Sequence, residues 1–91
     1  MSKEIETLKT ALDECRRLQA ADPQFQPLRS IEAQLQYLIG IAEGSITDRS
    51  RLSEIILGVY AAREFETRDM NFANRLYEVE EIVDWMREGR L

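Results

Sequence analysis

The residues with the most obvious capacity for chemistry are carboxylates crowded near the end of the chain. Glu80 and Asp84 are four positions apart and Glu81 and Glu88 are seven apart, so each pair shares one face of a helix. Paired carboxylates can act as acid and base or bind a metal ion. Carboxylate metal sites in helical bundles also use a histidine three residues after a ligand glutamate, and this sequence has no histidine. The pattern therefore favours a solvated acidic face and predicts no metal site.

The lack of histidine also removes the usual general base and the base of serine and cysteine triads. Cys15 is the single cysteine, and it lies in step with Ile5, Leu8, Leu12 and Leu18 on one apolar helix face. Burial at such a position raises the pKa of a thiol and makes it unreactive. The four glycines are isolated, so no phosphate-binding loop is present. We therefore predict a protein that is not an enzyme.

The charge of the chain restricts its class of partner. Seventeen acidic residues against twelve basic ones give a formal net charge of −5, which disfavours nucleic acid and anionic membranes and favours a basic protein surface. The single cysteine requires no oxidising compartment. The charged start is unlike a signal peptide, and no apolar run approaches the ~20 residues that span a membrane. We expect a cytoplasmic protein with one domain over residues 1–91, since a chain of this length supports one core.

Four amphipathic patterns predict the helices that position these residues. A first helix is expected from just after Ser2, which precedes it, to about Ala20. Further helices are expected over residues 27–43 and 48–63, followed by a last helix between a cap at Asp69 and a stop at Gly89. Pro27 opens the second helix and Gly44 ends it. Short connections predict antiparallel neighbours, and no segment has the alternation of a strand. The predicted fold is all-α, a compact four-helix antiparallel bundle.

The third and fourth helices carry the sharpest packing predictions. Thr47 or Asp48 should cap the third helix, and Gly58 inside it should mark a close crossing with another helix, because a glycine there costs about 1 kcal/mol relative to alanine. The apolar residues expected to be buried are Leu52, Ile55, Ile56, Val59 and Ala62 in the third helix and Phe72, Leu76, Val79, Val83 and Met86 in the fourth.

A family resemblance lies in the middle of the chain, within residues 30–76. Its matching pieces, in order, are Gln34-Leu35-Gln36-Tyr37-Leu38, Asp48-Arg49-Ser50, Leu57-Gly58, and Glu64-Phe65-Glu66-Thr67 with Asp69. Their order and spacing resemble the family of type VI secretion immunity proteins that neutralise an NAD(P)-hydrolysing toxin. The two ends of the chain diverge from that pattern.

The resemblance implies a specific function. Proteins of this family are small helical proteins of the bacterial cytoplasm. They bind the C-terminal toxin domain of an effector delivered by neighbouring cells, occlude its dinucleotide-binding cleft and use no cofactor. The charge agrees with this expectation, because an enzyme that binds a phosphate-rich dinucleotide tends to have a positive cleft and attracts an acidic partner.

The contact surface is predicted at the turn after the third helix, because turns on a rigid scaffold often carry function. Aromatic residues beside the apolar stripes are further candidates, since tyrosine is enriched at interfaces. The predicted partner-binding residues are Tyr37, Tyr60, Glu64, Phe65, Glu66 and Asp69. Two structural alternatives stay open: Phe65 covers the core, and Asp69 only caps a helix.

Two other functions are weighed against toxin binding. The first is a structural or regulatory module that self-associates through its last helix, with Tyr77 and Trp85 at a homodimer interface. The second is a small carboxylate enzyme. The gene next to this one would separate immunity from self-association, because immunity genes lie beside the genes of their toxins.

Overall fold

The computed structural model describes residues 2–91 and is all-α. Its helices are α1 (Ser2–Ala21), α2 (Pro27–Glu43), α3 (Leu57–Tyr60) and α4 (Met70–Arg87). A 3-10 helix, Ser50–Glu54, precedes α3, and a π-helical turn, Ala61–Phe65, continues it. No strand occurs within residues 2–91. The predicted all-α class with four helices is confirmed.

The ends of α1 and α2 lie where the sequence predicts them. Helix α1 ends at Ala21, one residue later than expected, and α2 begins at Pro27. Gly44 ends α2 in the left-handed conformation at φ +83°, and its N–H donates to the Ile41 carbonyl at 3.2 Å. That conformation strains any residue with a Cβ, so glycine suits the stop.

Helices α1 and α2 form an antiparallel hairpin. Lys9 pairs with Glu43 at 2.8 Å, and Arg16 pairs with Glu32 at 3.0 Å, so positions advance along α1 as they recede along α2. These pairs are partly exposed and contribute little stability. The hairpin is held by the apolar stripes of the two helices, which face each other in the core.

Helix α4 packs antiparallel to α1 and has both predicted ends. Asp69 accepts a hydrogen bond from the Phe72 N–H at 3.1 Å and so caps the helix. Gly89 has φ +75°, and the following Arg90 N–H returns to the Trp85 carbonyl at 2.8 Å, which closes the C-terminus. The predicted seam is confirmed, since all five of its residues are buried: Phe72, Leu76, Val79, Val83 and Met86.

Cys15 lies in the core between α1 and α2. Its side chain is fully buried and donates to the Leu28 carbonyl at 3.4 Å. Burial raises the pKa of the thiol to about 12. The prediction of a structural cysteine is confirmed, because a thiol held neutral and covered is a poor nucleophile.

The prediction of one continuous third helix over residues 48–63 is wrong. The chain runs as a 3-10 helix to Glu54, becomes extended at Ile55 and only then forms the single turn of α3. Leu52 and Ile55 are buried as expected. Ile56 and Val59 are 44% and 45% exposed, and Ala62 is also exposed.

The break at residues 55–56 explains this error. It rotates the turn that follows, so Leu57, Ala61 and Phe65 enter the core in place of Ile56, Val59 and Ala62. The predicted cap at Thr47 or Asp48 is also wrong, because the N-cap of the 3-10 helix is Arg49, whose side chain makes no capping bond. Asp48 lies one residue earlier, and its carboxylate accepts the Ser50 N–H at 2.9 Å. Hydrogen bonds from Ser50 lower the pKa of Asp48.

Gly58 does mark a close approach to another helix, as predicted. Its N–H donates to the Glu80 carboxylate of α4 at 2.9 Å. A Cβ at this position would lie 3.3 Å from Glu80 Cγ, closer than most such contacts. The crossing is therefore made by a side chain of α4 that reaches the backbone of α3.

Within residues 2–91, no helix combines the length and apolar character that crossing a membrane requires.

Candidate partner-binding surface

The predicted contact turn joins the π-helical turn to α4. The Glu66 N–H donates to the Ala61 carbonyl, five residues back, at 3.0 Å. The Asp69 N–H then donates to the Phe65 carbonyl at 2.7 Å. These backbone bonds give residues 61–69 a defined shape without regular α-helix. The turn therefore presents its carboxylates from a fixed backbone.

Phe65 is not a surface residue, and its prediction as a partner contact needs correction. Its side chain is 1% exposed. Its ring meets Phe25 and Phe72 edge to face, with centroids 5.9 Å and 4.9 Å away. Such pairs add about 0.5 to 1.5 kcal/mol to the burial of the ring. The alternative that Phe65 covers the core is confirmed, and the residue anchors the turn from below.

Arg68 ties the same turn to the loop between α1 and α2. Its guanidinium lies 3.9 Å from the centre of the Phe25 ring, and it approaches the Asp22 carboxylate to 3.8 Å. A guanidinium over an aromatic face is attracted by the negative charge of the ring face. The Arg68 guanidinium is thus engaged in contacts within the protein.

The three predicted carboxylates of the turn differ in exposure and in the hydrogen bonds that they make within the protein. Asp69 is partly buried and caps α4, so it shapes the turn. Glu66 is exposed and accepts a hydrogen bond from the Tyr77 hydroxyl, which raises the pKa of that phenol. Glu64 is half-buried and makes no ion pair or side-chain hydrogen bond with residues 2–91. Glu64 and Glu66 are the carboxylates available to a partner.

The two predicted tyrosines lie apart from this turn and differ in exposure. Tyr37 of α2 is 9% exposed, its hydroxyl donates to the Asp48 carbonyl at 2.7 Å, and the Arg51 guanidinium lies 5.5 Å from its ring centre. It therefore supports, from inside the fold, the chain that enters the 3-10 helix, and its prediction as a partner contact needs correction. Tyr60 of α3 is partly buried against the core and keeps an accessible edge.

The acidic face of α4 is more constrained than its sequence indicates. Glu80 accepts the Gly58 N–H, and Arg87 lies 3.8 Å from Glu80 and 3.3 Å from Asp84. Two of the crowded carboxylates are thus occupied with neighbours in the fold. Among residues 2–91, no three ligand-type side chains are grouped to hold a metal ion.

Sequence reasoning missed the exposed apolar residues of the 3-10 and α3 region. Ile56 and Val59 were expected in the core, and both lie on the surface. A signal was present in the run Ile55-Ile56-Leu57, because three consecutive residues of a helix cannot all face the same core. That run required one apolar side chain to point outward, without indicating which.

Known proteins match this chain both in sequence and in fold. Residues 3–85 match the family model described as Tsi6. A chain in the structure of Tse6 in complex with Tsi6 superposes with a TM-score of 0.89 at 29% identity, over 94% of this chain and 92% of that one. The structure of Tsi6 from Pseudomonas aeruginosa gives a TM-score of 0.83 at 30% identity, over 88% and 83% of the two chains. A comparison with curated proteins gave no match.

Proposed function

We propose that this chain, which belongs to the Tsi6 family, binds and neutralises the toxin domain of a type VI secretion effector. It is an immunity protein and not an enzyme. The observation that carries the proposal is its close superposition on a chain from the structure of Tse6 in complex with Tsi6. The partner of this chain is, by the same fold, the toxin domain of a type VI secretion effector, and the complex forms in the bacterial cytoplasm.

The proposed mechanism is occlusion of the toxin's active site. The toxin is an NAD(P) glycohydrolase, so its cleft must accept the negative phosphates of a dinucleotide. A protein of net charge −5 with a rigid helical scaffold is attracted to such a cleft and blocks substrate entry. No residue of the immunity protein needs to react, which agrees with a buried, neutral Cys15.

The acidic turn supplies the proposed electrostatic contact. Glu64 and Glu66 are available to a partner, and the buried Phe65 between them fixes their backbone. Asp69 acts through its cap on α4, which positions the turn. Tyr60, which is partly buried against the core, precedes this turn along the chain. Tyr37 supports the chain at Asp48, where it enters the 3-10 helix.

The test uses the toxin domain of the effector encoded by the neighbouring gene. The two purified proteins are mixed at increasing ratio, and complex formation is followed by size-exclusion chromatography with light scattering. NAD+ consumption is followed in the same mixtures. We expect a stable complex and loss of NAD+ hydrolysis at one immunity protein for each toxin domain.

Three results would separate the parts of the proposal. Absence of a complex contradicts toxin binding. A complex with a toxin that consumes a different substrate contradicts the NAD(P) assignment and leaves binding intact. A bound toxin that still binds NAD+, measured by calorimetry, contradicts occlusion of the active site.

A further inference from the structure

We propose that Ile56 and Val59 form the centre of the toxin-contacting surface, and that they insert into an apolar depression rimmed by basic side chains on the toxin domain. We call these two residues the apolar ridge. This inference rests on the proposed function and names the part of the protein that carries most of the contact. The acidic turn then lies towards the rim of the same surface.

The two side chains of the ridge lie within one turn of chain. The Val59 N–H donates to the Ile56 carbonyl at 3.1 Å, and residues three apart in such a turn are neighbours on its surface. Their exposed fractions, 44% and 45%, are high for large aliphatic residues in a core-forming segment. Exposed apolar side chains grouped beside polar ones are typical of protein-binding sites.

Polar contacts from two helices hold the backbone of the ridge in place. The Gln34 side chain of α2 accepts the Ile56 N–H at 2.9 Å. The Glu80 carboxylate of α4 accepts the Gly58 N–H at 2.9 Å. The ridge is therefore fastened on both sides, and a partner would lose little binding free energy in ordering it.

The residue that fixes the break before the ridge is Arg87 of α4. It donates to the Leu52 carbonyl through Nε and to the Ile55 carbonyl through Nη2, both at 3.0 Å. The bond to Ile55 engages a carbonyl just beyond the end of the 3-10 helix. The bond to Leu52 adds to the 3.4 Å bond that the Leu52 carbonyl accepts from the Ile55 N–H. A continuous helix would bury Ile56 and Val59, so Arg87 helps to keep them outward.

The charge beside the ridge indicates the chemistry of its partner. Ile56 borders a depression that also contains Glu54 and the exposed Ala33 of α2. The Glu54 carboxylate is mostly exposed, and Arg51 lies 3.9 Å away. After the ridge the chain continues into the acidic turn, where Glu64 and Glu66 make no ion pair within residues 2–91 and Arg68 is held over the Phe25 ring. An apolar centre with an acidic rim complements an apolar depression with basic side chains.

The other exposed apolar residues provide a control. Met70 is 51% exposed and Tyr77 is 38% exposed, and both lie on α4. They are two helical turns apart, and the Tyr77 hydroxyl is engaged with Glu66. Met70 therefore matches the ridge in exposure but has no exposed large apolar neighbour within one turn.

The test measures the affinity of Ile56→Ser, Val59→Ser and the double variant for the toxin domain encoded by the neighbouring gene. We expect each single substitution to weaken binding about tenfold, and the double variant more. Met70→Ser should change the affinity by less than about twofold. All variants should have melting temperatures close to that of the wild type, because substitutions at exposed positions change stability little. If a serine variant melts early, the near-isosteric Val59→Thr replaces it.

Four outcomes would overturn the inference. A folded double variant with unchanged affinity removes the ridge from the interface and leaves the proposed function standing, provided that the wild type binds. An equal loss in Met70→Ser makes the ridge ordinary surface. Loss of a homodimer with unchanged toxin affinity assigns the ridge to a second copy of this chain. Failure of the wild type to bind overturns both the inference and the proposed function.

Discussion

Two regions of the molecule differ in the contacts that hold them. The first consists of the long helices α1, α2 and α4, and the second is the connecting segment, residues 45–69. The helices present apolar stripes to one another and bury them in a common core. The connecting segment adds five side chains to that core, Leu52, Ile55, Leu57, Ala61 and Phe65. Unlike the helices, it is also fastened by side chains of α2 and α4 that bond to its backbone. Those side chains come from Gln34 and Tyr37 of α2 and from Glu80 and Arg87 of α4.

The difference separates stability from surface shape. Apolar burial has no direction and accounts for most of the folding free energy, so helices with matching stripes tolerate many sequences. A hydrogen bond contributes only about 0.5 to 1.5 kcal/mol but requires a defined geometry. The helices therefore provide stability, while the polar contacts decide which side chains the connecting segment shows to a partner.

The largest expected effect comes where the connecting segment uses the core. Phe65→Ala removes a ring that is 1% exposed and packed between Phe25 and Phe72. We expect a loss of about 3 to 5 kcal/mol, a large part of the roughly 5 to 13 kcal/mol available to a chain of this size. Urea unfolding followed by circular dichroism measures the loss. Val59→Ala is the exposed control and should change stability by less than about 0.5 kcal/mol.

A small loss of unfolding free energy in Phe65→Ala would contradict this view of the connecting segment. It would mean that the connecting segment folds independently of the aromatic core. A loss below about 1 kcal/mol is incompatible with the burial described for this ring.

The next effect concerns the polar fastening itself. Arg87→Ala removes both bonds to the Leu52 and Ile55 carbonyls, and we expect a loss of about 1 to 2 kcal/mol. The sharper readout is hydrogen exchange. Amides of residues 52–60 should exchange faster, while those in the middle of α1 and α2 should keep their protection. Arg90→Ala, which removes a cation from an exposed pair with Glu88, is the matched control.

Uniformly faster exchange in Arg87→Ala would contradict a local role. It would place Arg87 among the residues that hold the whole fold, and the two regions would then be stabilised as one unit.

The sequence predicts the helices better than the connecting segment for a physical reason. The boundaries of α2 depend on local chemistry at Pro27 and Gly44, and those of α4 on Asp69 and Gly89, so a reader of the sequence can locate them. The course of residues 50–60 depends on Arg87, more than thirty positions away along the chain. Local periodicity contains no information about such a contact.

The candidate site shows the same limit at the level of single residues. The sequence predicts Asp69 both as a cap and as a partner contact, and the cap is confirmed. Phe65 is apolar and adjacent to two glutamates, which in sequence is compatible with either core or surface. Its burial is decided by Phe25 on the α1–α2 loop and by the rotation of the turn after the break at residues 55–56. The exposure of Ile56 and Val59 follows from that same rotation.

A smaller effect tests the junction between the two regions. Asp69→Ala removes the cap of α4 and should lower stability by about 1 kcal/mol. Asp69→Asn keeps an oxygen that accepts the Phe72 N–H and should lose much less, since asparagine caps as well as aspartate. Thermal melts of the two variants measure the difference. Equal losses would show that the charge near the helix N-terminus, and not the hydrogen bond, stabilises the junction.

The smallest effect on folding, and the one most specific to function, belongs to Glu64 and Glu66. The double variant Glu64→Lys, Glu66→Lys should melt with the wild type, since neither carboxylate is buried. Glu66→Lys also removes the bond from the Tyr77 hydroxyl, so Tyr77→Phe is the control that removes that bond and keeps the charge. Binding to the toxin domain is measured by surface plasmon resonance at several salt concentrations.

The kinetics of this double variant locate the acidic turn within the interface. If the turn lies at the rim, association slows and becomes less sensitive to salt, while dissociation stays the same. If either carboxylate is paired at a dry centre, dissociation accelerates and the loss reaches about 2 to 5 kcal/mol. The apolar ridge predicts the rim behaviour, because it places the centre at Ile56 and Val59. Unchanged kinetics in a stable variant would exclude the turn from the interface. The search would then move to the exposed side of α4 around Asp84, because Glu80 is already bound to the Gly58 N–H.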